Sequence, residues 1–184
     1  MLRDSDTASG AATSIGVGVM GFAQAYARLR PDLLVVFGDR FEMYAAAVAA
    51  LPFNIPVAHI AGGELTEGAM DDAMRHSLTK LSHLHCVATD TYAQRVRQLG
   101  EEPWRVTVCG ALSLDHLPTL RRLSRGELQT RLGVGLAPAP LLVTYHPVTL
   151  EPDQTEWQVQ ELLQALETVE RPMIFTLPNA DPGH

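Results

Sequence analysis

Three acidic groups stand within residues 38–75, each beside a glycine turn or early in a helix: Asp39 in Gly38-Asp39-Arg40, Glu64 in Gly62-Gly63-Glu64, and Asp71-Asp72. Arg75 follows one helical turn after Asp71. Carboxylates that converge on one crevice can remove and return protons. His146, fixed in extended backbone by Pro147, and Asn179 are two further polar candidates beside strand ends. Each has a plain structural alternative. Asp39 suits a helix cap, Glu64 an exposed turn, and Asp71 a surface pair with Arg75 on one helix face, with Asp72 turned to solvent. Arg40 at a helix N-terminus opposes the helix dipole, which favours another use for it, such as an anion.

The elements that must bring these residues together alternate along the chain. Helical spacing of Ile15, Val19, Phe22, Ala23 and Tyr26 predicts a helix over 11–28, stopped by Pro31. The apolar run 33–37 reads as a strand of a parallel sheet covered on both faces. Asp39 would then cap a helix over 41–51, with Glu42 completing a capping-box-like pair. Strands follow at 57–60, 85–88 and 106–108, with helices at 69–81, 90–99 and 112–117. Strands that recur every 20 to 30 residues between helices predict a doubly wound parallel α/β sheet. In such a sheet the carboxyl ends of the strands share one edge, where ligands bind. Asp39 and Glu64 both follow strand ends.

Residues 1–121 read as one Rossmann-like domain. Residues 122–139 read as a linker region, with a capping box at Ser124 to Glu127 and then glycine and proline turns. Residues 140–184 read as the start of a second domain, with strands at 140–145 and 173–176 and a helix at 155–170. That helix carries an apolar stripe of Trp157, Leu162, Leu163, Leu166 and Val169. A single β-α-β unit covers few of its own faces, so the chain is expected to be incomplete at both ends.

Composition removes several classes. The 184 residues are 46% hydrophobic and 19% charged, ordinary values for a globular protein of this size. A net charge of −7, with only Arg121, Arg122 and Arg125 clustered, argues against nucleic acid as a partner. No stretch approaches a membrane span, and residues 1–20 lack a signal-peptide apolar run, so no membrane partner and a cytoplasmic location are expected. Cys86 and Cys109 read as small core residues of a reducing compartment, and His59, His83 and His85 as structural histidines. No Cys/His spacing suits zinc, so no metal is expected. Gly16-Val17-Gly18 falls in a predicted helix and is no phosphate loop, and no P-loop or nucleophile elbow occurs.

The run from Gly38 to Thr89 resembles the hydrolysing UDP-N-acetylglucosamine 2-epimerases of sialic-acid and capsule biosynthesis. So do Tyr145-His146-Pro147-Val148-Thr149 and Pro178-Asn179-Ala180-Asp181, in the same order. The resemblance implies a two-domain fold of the glycosyltransferase-B type, with the first strand and most of the second, nucleotide-binding domain lying outside this chain. It implies conversion of UDP-N-acetylglucosamine to N-acetylmannosamine and UDP by elimination to a glycal and rehydration, with no metal or redox cofactor. By the same resemblance Asp39, Glu64 and Asp71 are the acid/base set, and Arg40 and Arg75 orient the acids or hold phosphate. His146 contacts the diphosphate, and Asn179 lines the nucleotide side. A full-length parent is expected to be a homo-oligomer. A glycosyltransferase of the same fold, and an inactive truncated remnant that binds nucleotide sugar weakly, are the alternatives.

Overall fold

The computed structural model describes residues 7–177. They fall in two compact units that divide between Asp115 and His116.

In the first unit α1 (Ala8–Leu29) is capped by Thr7, whose hydroxyl oxygen accepts the Gly10 N–H at 3.0 Å. It ends where Arg30 turns left-handed before Pro31. The run Gly16 to Gly21 has the G-x-G-x-x-G spacing, but it lies inside α1 and not in a strand-to-helix turn, and so cannot cradle a pyrophosphate. Then follow β1 (Leu34–Phe37), α2 (Phe41–Ala50), β2 (Val57–Ile60), α3 (Met70–Leu81), β3 (Leu84–Val87), α4 (Asp90–Gln98) and β4 (Val106–Val108). The helix expected at 112–117 is a single 3-10 turn, Leu112–Leu114.

The four strands form one parallel sheet in the order β1-β2-β3-β4. The class is the Rossmann-like parallel α/β layer expected, but coverage differs. Right-handed crossovers between strands laid down in sequential order put α2, α3 and α4 on one face. Val36 is accordingly 1% exposed, while its neighbours Val35 and Phe37 are 55% and 54% exposed. The apolar run of β1 thus has one buried face among the described residues, not two. Beneath it lie Tyr26, Val36, Ala47, Ala50, Ile55, Val57 and Leu78. The alanines of α2 let α1 approach closely: a Cβ on Gly18 would stand 3.0 Å from that of Ala45.

Two histidines paired across the β2–β3 register, His59 and His85, are fully buried. Burial lowers both pKa values, that of His59 to about 4, because the apolar surroundings disfavour the imidazolium. For a base depressed by folding, the stabilisation is present above the ordinary value of about 6.5 and is lost as pH falls through the folded value. Urea unfolding at pH 7.5 and 4.5 is therefore expected to show a loss of about 2–3 kcal/mol from His59 alone. A stability unchanged or higher at pH 4.5 would contradict this. His85 Nε2 lies 3.1 Å from Glu101 Oε2, and the other oxygen of Glu101 pairs with Lys80. Glu101→Ala leaves a fully buried imidazole N–H without its acceptor, so a loss of about 1–3 kcal/mol is expected in the same assay.

In the second unit the capping box is present: Ser124 Oγ accepts the Glu127 N–H, and Glu127 accepts the Ser124 N–H at 2.8 Å. It opens α5 (Arg125–Leu132). β5 (Leu141–Val143) and β6 (Met173–Phe175) pair in parallel, joined through α6 (Thr155–Glu167). On α6, Leu162 and Leu166 are half-buried, whereas Trp157 is 58% exposed. Two strands hide only part of the helix's apolar stripe. No helix among the described residues is long and apolar enough to cross a membrane, and no cluster there could hold a metal ion.

Candidate active site

At the carboxyl edge of the sheet the chain encloses a cavity of about 220 Å³. Every strand of the first unit contributes to it. Gly38 and Asp39 follow β1, Ala61 and Glu64 follow β2, Ala88 follows β3, and Gly110 to Ser113 follow β4. Arg75 reaches it from the second turn of α3.

The turns are shaped for close approach. Gly38 has φ +75° and Gly63 φ +79°. A Cβ on Gly63 would lie 2.5 Å from the Tyr92 carbonyl oxygen, so no other residue fits there. Ala61, at φ 65°, adopts a conformation that costs a non-glycine residue energy, and it does so at the cavity wall. Arg95 of α4 donates to the Gly63 carbonyl and pins the loop that carries Glu64.

Charge is distributed unevenly. Arg75 Nη2 donates to Asp39 Oδ2, a pair 36 residues apart in sequence. Its side chain is 6% exposed, and that of Asp39 is 20% exposed. Arg75 Nη1 stands 3.9 Å from Asp72 Oδ1, beyond hydrogen-bond range. Arg75 Nε and Nη1 are buried with no hydrogen-bond partner among the described residues. Glu64 makes no ion pair among those residues, and burial raises its pKa from the ordinary carboxylate value. One carboxylate bound to a guanidinium, and a second of raised pKa on the same cavity, make an environment in which acid and base roles diverge.

Some expectations change here. Asp39 is not the cap of α2. Arg40 occupies that position without a side-chain cap bond, and its Nε lies 3.4 Å from Glu42 Oε2. Asp39 is drawn instead to Arg75, because the β1 and α3 ends meet at the same edge. Asp72 does not simply face solvent: its Oδ1 accepts the Thr66 N–H at 2.8 Å and closes the loop ahead of α3. Asp71 is half-buried in the first turn of α3, and neither it nor Arg40 lines the cavity. His146 lies in the second unit just past β5, and Asn179 lies outside the described residues. Sequence reasoning missed Arg95 and the segment from Gly110 to Ser113. Gly110 after a strand was the available signal, but no carboxylate accompanied it.

The family model for UDP-N-acetylglucosamine 2-epimerase matches residues 1–184. A hydrolysing GDP/UDP-N,N'-diacetylbacillosamine 2-epimerase of Campylobacter jejuni is 40% identical over 169 residues, 91% of this chain and 44% of the relative. The polysialic acid biosynthesis protein P7 of Escherichia coli is 37% identical over 172 residues, 92% of this chain and 44% of that protein. The chain thus spans less than half the length of these curated relatives. Among solved structures, a Methanocaldococcus jannaschii UDP-GlcNAc 2-epimerase in complex with UDP-GlcNAc and UDP matches with a TM-score of 0.75 at 17% identity, covering 91% of this chain and 47% of that one.

Proposed function

Because the chain belongs to the UDP-N-acetylglucosamine 2-epimerase family, we propose that it carries the proton-transfer side of a hydrolysing sugar-nucleotide 2-epimerase. The observation that supports this best is the meeting of Asp39, Glu64 and Arg75 on one cavity at the carboxyl edge of the sheet. In the proposed reaction a carboxylate takes the proton from C2 of the sugar. The C2–H electrons form the C1–C2 double bond, and the C1–O bond breaks with its electrons leaving on UDP. Water then adds to the glycal, its oxygen to C1, and a proton returns to C2 from the opposite face. UDP-N-acetylglucosamine would so give N-acetylmannosamine and UDP.

Glu64 is assigned the C2 proton, because its raised pKa brings it nearer to neutral pH, where a group can both accept and donate. Asp39 and Asp71 complete the acid/base set. Arg75 holds Asp39 and offers charge to developing oxyanions. Arg40 and His146 are assigned to the diphosphate and Asn179 to the nucleotide. No metal or redox cofactor enters any step. The reading places the protein in the cytoplasm, with residues 140–184 as the start of the nucleotide-binding domain and a homo-oligomer as the complete enzyme.

A second substrate, UDP-N,N'-diacetylbacillosamine, is favoured by the 40% identical relative, which is named for GDP/UDP-N,N'-diacetylbacillosamine. One experiment addresses both. The chain is grafted over its 169-residue match in that relative, and each nucleotide sugar is supplied in deuterated water. Release of UDP with deuterium at C2 of the free, inverted sugar is expected. A product that keeps its diphosphate, or transfer only when an acceptor is present, would overturn the reading.

A further inference from the structure

His59 is fully buried in β2, and its ring is joined to all three segments that carry the cavity's charged groups. Its Nε2 lies 2.8 Å from the Gly38 carbonyl oxygen, next to Asp39. A carbonyl only accepts, so Nε2 carries the proton and Nδ1 is left as an acceptor. On that side stands the Thr79 hydroxyl, 3.4 Å from Nδ1 and 3.2 Å from the carbonyl oxygen of Arg75. The hydroxyl has one proton to offer these two acceptors and stands within reach of both, which ties the ring to the turn of α3 that carries Arg75. The third segment meets the ring by packing. A Cβ on Gly62 would stand 3.0 Å from Nδ1 and 3.3 Å from Cε1, tighter than ordinary packing, so a side chain at residue 62 would press on the imidazole.

We propose that His59 is the positioning residue that holds Asp39, Glu64 and Arg75 in mutual register; what those groups do once positioned rests on the epimerase reading. His59 touches no substrate. It acts through a donor, an acceptor and a packing contact, one for each of the three segments. An aliphatic side chain of similar size supplies the packing and neither polar bond. Glutamine supplies an amide donor near the place of Nε2. The neutral ring favoured by burial is the form that has one donor and one acceptor.

The test is read on the 184-residue chain by nuclear magnetic resonance, without turnover. At pH 7 the His59 ring nitrogens are expected to report the Nε2–H tautomer. In His59→Leu, exchange of the Arg75 Nε–H and the Gly38 and Gly63 amides with water is expected to quicken at least tenfold. The amides of Val87 and Val96, in the other core cluster, should keep their rates. His59→Gln should stay within threefold of the wild-type rates. Gly62→Ala, which crowds the ring without removing it, should reproduce the leucine effect and serves if the leucine variant does not fold. Unchanged Arg75 exchange, glutamine behaving as leucine, or equal acceleration in both clusters would each overturn the proposal, the last by showing a general loss of stability. Failure of the wild-type graft to release UDP would remove the epimerase reading and leave these exchange results standing.

Discussion

Glu64→Gln is expected to lower turnover of the grafted enzyme by about a hundred- to ten-thousand-fold, with the Michaelis constant for the nucleotide sugar little changed. The magnitude is that of removing a positioned general acid or base. The split follows from the geometry. Glu64 lines the cavity without holding an ion pair among the described residues, so glutamine keeps its shape and most of its contacts. The pH profile supplies the second readout. Burial raises the Glu64 pKa, and the base form does the work, so the wild-type rate should rise with pH through that raised value. In the glutamine variant that rising limb should vanish. Turnover within threefold of wild type, or an unaltered acidic limb, would take Glu64 out of the chemistry.

Arg75→Met is expected to act on both stability and rate. Removing one partner of a buried pair leaves the other charge uncompensated, which costs about 3–5 kcal/mol in closed sites. Asp39 keeps 20% of its side-chain surface exposed, so water recovers part of this and the low end of that range applies. Turnover should fall about a hundred- to a thousandfold, as when one preorganised donor to a developing charge is lost. Two companions separate the effects. Asp39→Asn added to Arg75→Met should regain stability, since no unpaired carboxylate remains, yet regain no activity. Arg75→Lys should restore charge but not the planar fork that serves Asp39 with one nitrogen while Nε and Nη1 stay available, and so should recover stability more than rate. Chemical unfolding and UDP release measure the two quantities. A single variant with full stability and full rate would show that the pair is a surface ornament.

Much of the first unit is legible because its elements are encoded locally. The strands Val57–Ile60 and Val106–Val108 begin and end where apolar runs meet proline, glycine and helix signals. In the second unit, Ser124 and Glu127 announce α5 by a contact within one turn. The glycine turns after β1 and β2 mark where backbone must come close to something. Sheet coverage is another matter. An apolar run such as Leu33 to Phe37 reads the same whether helices lie on one face or on two, and strand order decides between them. The spacing from Gly16 to Gly21 shows the opposite hazard, a phosphate-loop pattern emptied of meaning by its place within a helix.

The residue types of the site, and their location at strand ends, were determined by the sequence alone. Period, turn chemistry and the topology of parallel sheets bring Asp39 and Glu64 to one edge whatever the details of packing. Which charges meet at that edge was decided only by tertiary structure. Asp71 and Arg75 are one helical turn apart, and spacing favours that pair; the fold sends Arg75 to Asp39, 36 residues away. His59 looks like any core histidine until Gly38, Gly62 and Thr79 are seen around its ring. The physical reason is the same in each case. Local propensity acts over one turn of chain, whereas the partner of a buried polar group is set by strand register and helix placement.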